Sequence, residues 1–454
     1  MKLYNSLTKK KEEFFTIKPN EIKMYVCGQT VYDFCHLGHA RKAIVFDMIR
    51  RWFISSGFKV IFVENITDVD DKIIKKAIEN NVSIQSLTNK YINFMYEDFN
   101  LLGIMPPDFQ PKATEYIPEM ISLISELINK GFAYVGKNGD VFYSVRKFAE
   151  YGKLSGKKLA DLQSGHRVEI DINKNDALDF VLWKSSKDDE QHWDSDFGKG
   201  RPGWHIECSA MANKILGTTF DIHGGGLDLQ FPHHENEIAQ SEAMNGCKLA
   251  NYWIHNGFLN IDDEKMSKSL GNFLTLRDVL KTVDPELLRL FMLRTHYRRP
   301  LNFSFSLIEE TKTFLTKLYL CIKEFQVDKV KDIDWGNEYA VKFKSAMDDD
   351  FNTPLALQVI FEICNKINVT KDLNLVNLII KLSNILGILN YVPDEYLKLQ
   401  VEFSPDLINE QIEIRNKAKL DKNYELADQI RQQLLSKNII LEDTSTGTSW
   451  RSKN

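Results

Sequence analysis

The 454-residue chain has no apolar run near the roughly 18 residues that a membrane span requires. Its first residues, where Lys9, Lys10 and Lys11 run into Glu12 and Glu13, hold no signal-peptide core, so a cytoplasmic protein is expected. Cysteine is scarce and scattered: Cys27, Cys35, Cys208, Cys247, Cys321 and Cys364 make no disulfide framework and read as reduced thiols or metal ligands. Neither charge sign dominates. The formal net charge of -5 excludes a protein that coats nucleic acid non-specifically but permits a local basic face. Gly-x-Ser-x-Gly is also absent, which rejects a serine hydrolase despite the His223-Gly-Gly-Gly stretch. A composition with 43% hydrophobic and 27% charged residues is ordinary globular. The length asks for about two to four domains.

What the chain does have is a dense stretch from Met24 to Arg41. Ile22–Val26 is short and β-favouring, while residues 40–53 carry Ile44, Val45, Met48, Ile49 and Trp52 at helical spacing, predicting a strand, a turn and a helix. Cys27 falls at the strand end, and His36-Leu-Gly-His39 opens the helix. A helix N-terminus offers free N–H groups to an anion, and Gly38 removes the side chain that would keep a nucleotide away. His36 and His39, three apart, point to one side and can donate to phosphate oxygens. Residues 59–66 read as a second strand, giving a βαβ unit and a parallel sheet with ligands at its carboxyl edge. Asp68, Asp70 and Asp71 follow that strand, where acidic turn residues are common.

Helical patterns occupy 73–103 and 117–130. Residues 131–203 change texture to short strand-like pieces (140–145, 167–171) and charged turns, the mark of an insertion from which Ala177–Lys184 returns to the core. A helix from Gly203 carries Cys208, residues 219–223 form the next buried strand, and Gly224, Gly225 and Gly226 at its end let backbone approach a ligand closely. A helix begins at Pro232, and a strand over 252–260 leads into Lys265-Met-Ser-Lys268. Beyond Pro300 the pattern is helical, with one apolar face through Leu307, Phe314, Leu318, Cys321 and Phe325. After Pro405 come helices over 407–419 and 424–436 and a short terminal strand.

Two thiols, an imidazole and a carboxylate (Cys27, Cys208, His233 and Glu237) make a reasonable zinc set, with His233 and Glu237 four apart on one helix face. His234 with Glu237, or His205 and Cys35, are alternative donors, and each cysteine alone reads equally as a small buried residue. Lys265 and Lys268, three apart in a serine-softened loop, can reach the phosphates of a triphosphate.

His36-Leu-Gly-His39 followed by Lys265-Met-Ser-Lys268-Ser resembles the paired signatures of class I aminoacyl-tRNA synthetases. The segments 25–33, 203–211, 231–237, 349–354 and 441–451 are similar to the cysteinyl-tRNA synthetase family in particular, with Leu37 in place of the usual Ile. The resemblance spans the chain. It implies an α/β fold: a Rossmann-like parallel-sheet catalytic domain over 1–300, with the connective insertion at about 131–203 and the signature loop at 262–272. An α-helical bundle over 301–400 and a small α+β anticodon-recognition unit over 401–454 follow.

The implied reaction is ATP-dependent ligation of L-cysteine to tRNA(Cys) through a cysteinyl-adenylate, by a cytoplasmic monomer. It implies zinc on Cys27, Cys208, His233 and Glu237, with the substrate cysteine against Thr30 and Trp204. ATP, accompanied by Mg2+, falls to His36, Gly38, His39, Gly224, Gly225, Gly226, Lys265 and Lys268. The basic residues Arg289, Arg294, Arg298 and Arg299 suggest a tRNA backbone contact, with Arg298 and Arg299 foremost. Trp450 and Arg451 are expected to stack on tRNA bases. A cysteine ligase with an amino-sugar acceptor would not need the region after Pro300, and a non-catalytic zinc-dependent nucleic-acid-binding relative would not need both signatures.

Overall fold

The computed structural model describes residues 1–159, 172–187, 190–262, 264–265, 273–325, 332–398, 404–444 and 447–452, with the backbone alone of Lys265 and Thr444. They form two compact units. The first comprises 1–285, 292–303 and 344–354; the second comprises 286–291, 304–343 and 355–454.

A four-stranded parallel sheet organises the first unit, in the order Ala250–Asn256, Phe220–Gly226, Glu21–Thr30, Lys59–Thr67. The helix Leu37–Ser55 makes the crossover between Glu21–Thr30 and Lys59–Thr67, and buries Ile44, Val45, Met48, Ile49 and Trp52 as their spacing predicts. The first strand runs beyond the expected Val26 to Thr30, with an irregularity between Val26 and Gln29. Gly28 sits in that irregularity, where a Cβ would lie 1.5 Å from the Asn65 carbonyl oxygen. Gly28 N–H instead donates to Asn65 Oδ1 at 2.8 Å, tying the two strand ends together.

Two further boundaries can be traced to particular residues. The helix expected from Pro232 starts there: Phe231 takes extended backbone angles, and from Pro232 a wider helical turn leads into the regular helix Glu235–Asn245. The strand expected over 252–260 breaks after Asn256, where Gly257 passes the Arg298 and Arg299 carbonyls too closely for any side chain. Leu259–Ile261 then pairs with Leu301–Phe303 and with Glu264–Lys265 in a separate small sheet.

The 131–203 region carries an antiparallel sheet, Ala133–Val135, Val141–Tyr143, Phe180–Ser185 and Gly200–Pro202. It shares a core with the helices Ile117–Asn129, Trp204–Leu216 and Glu235–Asn245 through Leu123, Leu127, Trp183, Ile206 and Ala239. The strand-like piece at 167–171 lies outside the described residues. The acidic turn after Thr67 is structural: Asp68 accepts from Thr114, Asp70 caps the helix Asp71–Glu79, and Asp71 pairs with Lys184 and Arg201.

The second unit is helical over Phe305–Ile322, Leu373–Ile385 and Pro393–Lys398. It ends with the helices Pro405–Leu420 and Tyr424–Ser436 and the hairpin Ile439–Thr444/Gly447–Ser452. Ile408, Ile412, Ile430, Leu434, Ile439, Leu441 and Trp450 close this last piece into its own core.

Candidate active site

His36 stands immediately before the Leu37–Ser55 helix with extended backbone angles and caps it. Its Nδ1 accepts from Gly38 N–H at 3.0 Å and from His39 N–H at 3.4 Å, while His39 Nδ1 accepts from His36 N–H at 3.2 Å. Leu37 N–H is taken by the Leu274 carbonyl. The N–H groups expected to face an anion are therefore already engaged, because the signature histidines form a reciprocal capping box. The consequence is a fixed tautomer. A ring whose Nδ1 accepts carries its proton on Nε2, so both imidazoles present an Nε2–H donor. The rings stack with centroids 3.6 Å apart. Burial, with His36 and Lys42 alongside, holds His39 well below the usual histidine range, so it stays neutral at pH 7.

Neighbouring cations lock the strand–helix junction. Lys42 Nζ donates to the Cys27 carbonyl at 2.7 Å and pairs with Glu64 at 2.7 Å. Arg41 donates to the Phe258, Tyr297 and Arg299 carbonyls. Neither stood out in the sequence, although the paired cations one helical turn behind His36 and Gly38 were a usable signal.

Cys27, Cys208, His233 and Glu237 come together, all buried, with one donor atom from each within 4.8 Å of the others. Cys27 Sγ lies 3.7 Å from Cys208 Sγ, 3.4 Å from His233 Nε2 and 3.3 Å from Glu237 Oε1, and the last two are 3.0 Å apart. Two sulfurs about 2.3 Å from a tetrahedral zinc stand about 3.8 Å apart, and a sulfur and a nitrogen about 3.5 Å, so the four donors fit such an ion. A second grouping, Cys27, His223, His234 and Glu237, meets the same distance criterion. There, however, His223 Nε2 is engaged by Glu237 Oε2 at 2.8 Å and His234 Nδ1 by His255 Nε2 at 2.8 Å. Those two histidines are better placed to support the first set than to replace it.

Electrostatics divide the donors: burial, with Cys208 and Glu237 alongside, pushes the Cys27 thiol well up. Burial opposes ionisation of Cys208, yet the Cys27 thiol and His233 bring its pKa down to about 6. Burial likewise opposes charge on Glu237, which His223 and His233 hold well below the usual carboxylate range. His205 Nδ1 lies 3.0 Å from His233 Nδ1 and fixes that ring from behind, an orienting contact rather than a place in the donor set. Cys35 is elsewhere, with Gln29 on its sulfur.

A cleft of about 480 Å³ opens beside the histidine signature and Trp204, a size suited to a small-molecule substrate. Gly28, Thr30, Trp204, His36, Gly38, His39 and Gly226 all line it. Trp204 stacks on His233 at 4.6 Å between centroids, placing an aromatic wall against the donor cluster. Gly224 and Gly225 have packing reasons for lacking side chains: a Cβ would meet the Phe46 ring at 2.3 Å and His234 at 2.9 Å. Of the three glycines, Gly226 is the one along the cleft. The Lys265 side chain and all of Lys268 lie outside the described residues.

The residues expected to contact tRNA divide differently. Arg298 is committed to the buried carboxylate of Asp350 at 2.7 Å, which Tyr297 and the Tyr4 N–H also engage, so the 349–354 motif supplies an internal acceptor. Arg289 is buried and donates to the Leu386 carbonyl. Trp450 is 5% exposed, with its indole N–H on Asn409, and Arg451 pairs with Glu442 at 2.6 Å. The expectation that Trp450 stacks on a base is thereby corrected: its ring is core. Sequence alone could not separate a basic or aromatic surface from charges and rings that fold inward.

The family description "tRNA synthetases class I (C) catalytic domain" matches residues 13–313, and "DALR domain" matches 342–390. The cysteine–tRNA ligases of Nitrosomonas europaea and Methylobacillus flagellatus are 52% and 54% identical to the chain, each over 99% of both sequences. That of Laribacter hongkongensis is 51% identical with the same coverage. Among solved structures, Mycobacterium tuberculosis methionyl-tRNA synthetase in complex with methionyl-adenylate superposes with a TM-score of 0.57 at 15% identity, covering 83% of this chain and 91% of that one. The Agrobacterium radiobacter K84 LeuRS–tRNA–LeuAMS complex gives 0.60 at 10% identity, covering 85% and 86%, and both likenesses concern the fold. A parallel-sheet catalytic unit, a helical region after it and full-length identity above one half lead to one placement: the chain belongs to the cysteine–tRNA ligase family of class I aminoacyl-tRNA synthetases.

Proposed function

We propose that this chain joins L-cysteine to tRNA(Cys) in two steps at the Thr30–Trp204–His36 cleft, by way of a cysteinyl-adenylate. In the first, the cysteine carboxylate attacks the α-phosphate of ATP and pyrophosphate leaves; in the second, a hydroxyl of the terminal ribose takes the cysteinyl group and AMP leaves. Zinc on Cys27, Cys208, His233 and Glu237 supplies a soft Lewis acid that favours a thiol over the harder, more basic hydroxyl of serine. Trp204 and Thr30 wall the substrate side chain. His36 and His39 each aim an Nε2–H at phosphate oxygens, already oriented by the capping box, so little reorganisation accompanies the charge that develops. Lys265 and Lys268 add positive charge and Mg2+ accompanies ATP. Gly38 and Gly226 give the nucleotide room.

The observation that carries this reading is the fit of four buried donors to a tetrahedral ion behind Trp204, whose ring lines the same cleft as the histidine signature. A hydrophobic pocket without such a bond rejects an isostere by only about a hundredfold, which is where editing becomes necessary. No editing activity is therefore expected, and the 131–203 region serves structure or tRNA contact. We assign residues 1–300 to catalysis, 301–400 to tRNA binding and 401–454 to anticodon recognition, with Arg294 and Arg299 as the basic candidates, in a cytoplasmic monomer.

ATP–pyrophosphate exchange tests the reading. Cysteine supports exchange and tRNA(Cys) charging while serine supports neither; exchange with serine well above background overturns it.

A further inference from the structure

The 349–354 motif belongs to the first unit and lies outside the cleft lining. Its centre is strained: Asp350 and Phe351 both hold positive φ, at 64° and 52°, where a side chain crowds its own backbone. A bulky residue such as phenylalanine is rare there. Strain of this kind persists only where the surroundings over-determine it. Here they converge on the Asp350 carboxylate, which is fully buried. Oδ1 accepts from Tyr4 N–H at 2.9 Å and from the Tyr297 hydroxyl at 2.8 Å, and Oδ2 accepts from Arg298 Nε–H at 2.7 Å. Asp350 N–H donates to the Lys2 carbonyl at 2.9 Å. Phe351, also buried, sets its ring edge-on against Phe53 of the helix Leu37–Ser55, 5.5 Å between centroids.

Tyr297 and Arg298 turn their side chains to Asp350, while backbone carbonyls of the same segment hold the wall of the cleft. The Tyr297 carbonyl accepts from Gly257 N–H at 2.8 Å, and the Phe258 carbonyl accepts from Leu301 N–H at 2.9 Å. The approach is close enough that a Cβ on Gly257 would stand 2.6 Å from the Arg299 oxygen. Arg41, two residues beyond His39, ties the stretches together by donating to the Phe258, Tyr297 and Arg299 carbonyls. Arg41, Gly257 and Phe258 line the cleft with Gly38 and His39. The buried carboxylate is thus two hydrogen bonds from the lining, through the hydroxyl and then the carbonyl of Tyr297.

We infer that Asp350 is a positioning residue for the nucleotide: it fixes residues 297–299, whose carbonyls set Arg41, Gly257 and Phe258 as the wall that ATP meets beside His39. This rests on the reading of the cleft as the ATP site. The carboxylate itself touches no substrate. The four-donor cluster lies behind Trp204, another part of the lining, so loosening Asp350 weakens ATP binding and spares cysteine and zinc.

The test compares the full-length protein with Asp350→Gly, which suits the positive φ and removes the carboxylate. The ATP dissociation constant, measured by calorimetry without cysteine, is expected to rise about tenfold, since positioning of a cleft wall carries effects of that order. The KM for cysteine in pyrophosphate exchange and the zinc content stay within twofold of the parent. Tyr297→Phe, which removes only the hydroxyl, raises the ATP constant about threefold. The double variant costs no more than Asp350→Gly alone, because both act through one contact. If Asp350→Gly folds poorly, Tyr297→Phe decides. ATP binding within twofold of the parent in the folded variants overturns the role of Asp350, as does a loss shared equally by ATP and cysteine, the mark of general loosening. A parent that binds no ATP overturns the reading of the cleft itself.

Discussion

The histidine signature lines the cleft and the thiol cluster lies buried behind Trp204 in the same unit, yet the two meet their hydrogen-bonding needs in different ways. His36 and His39 satisfy each other and the first turn of their helix, so their chemistry-bearing nitrogens are oriented without a ligand. The cluster packs its donors against one another: Cys27 Sγ stands 3.7 Å from Cys208 Sγ and 3.3 Å from Glu237 Oε1, which lies 3.0 Å from His233 Nε2. One half-site is built to act on a charge that comes and goes. The other sets four buried donors at distances that suit a metal ion.

The largest expected effect falls on the second half. Cys208→Ser replaces a soft donor and should cost zinc and cysteine activation together, at least about a hundredfold in metal affinity, since even supporting residues are worth about 10–100-fold. Metal analysis at parental stoichiometry would remove Cys208 from the donor set. His39→Ala should instead lower adenylate formation by about 10²–10³, the usual cost of one lost donor to a developing charge, while zinc content stays whole. Loss of zinc in that variant would break the distinction between the halves.

Stability separates a third region from both. Trp450→Ala should remove about 3–5 kcal/mol from the small C-terminal core, and Trp450→Phe much less; a melting curve that does not move would restore Trp450 to the surface. His36 is both cap and donor, and substitution can part the two. His36→Ala should cost about 1 kcal/mol through the lost cap, whereas His36→Asn, a good cap, recovers stability but not the exchange rate.

The smallest effect is with pH. His39 is held below the usual histidine range by burial, His36 and Lys42, so the unfolded chain takes up the proton first. Its contribution to stability is full above about pH 6.5 and declines as pH falls below that. Denaturant titrations of parent and His39→Asn should diverge less with pH below 6 than above; a constant gap would contradict the shift.

Much of this was readable before any coordinates. Short β-favouring runs and a period-3.6 pattern pointed to the parallel sheet and its crossover helix, and the His233–Glu237 spacing to half the donor cluster, because local geometry dictates both. What escaped was tertiary. That Arg298 folds back onto Asp350, that Trp450 caps a core, and that the Gly38 and His39 N–H groups are used internally depend on partners dozens of residues away or on a capping geometry that histidine rarely supplies.

The most direct test of the central claim is cysteine-dependent ATP–pyrophosphate exchange measured before and after exhaustive chelation, with zinc added back. The account predicts about one zinc per chain, exchange lost in step with its removal, and recovery on return of zinc. Undiminished exchange in fully metal-free protein would contradict it.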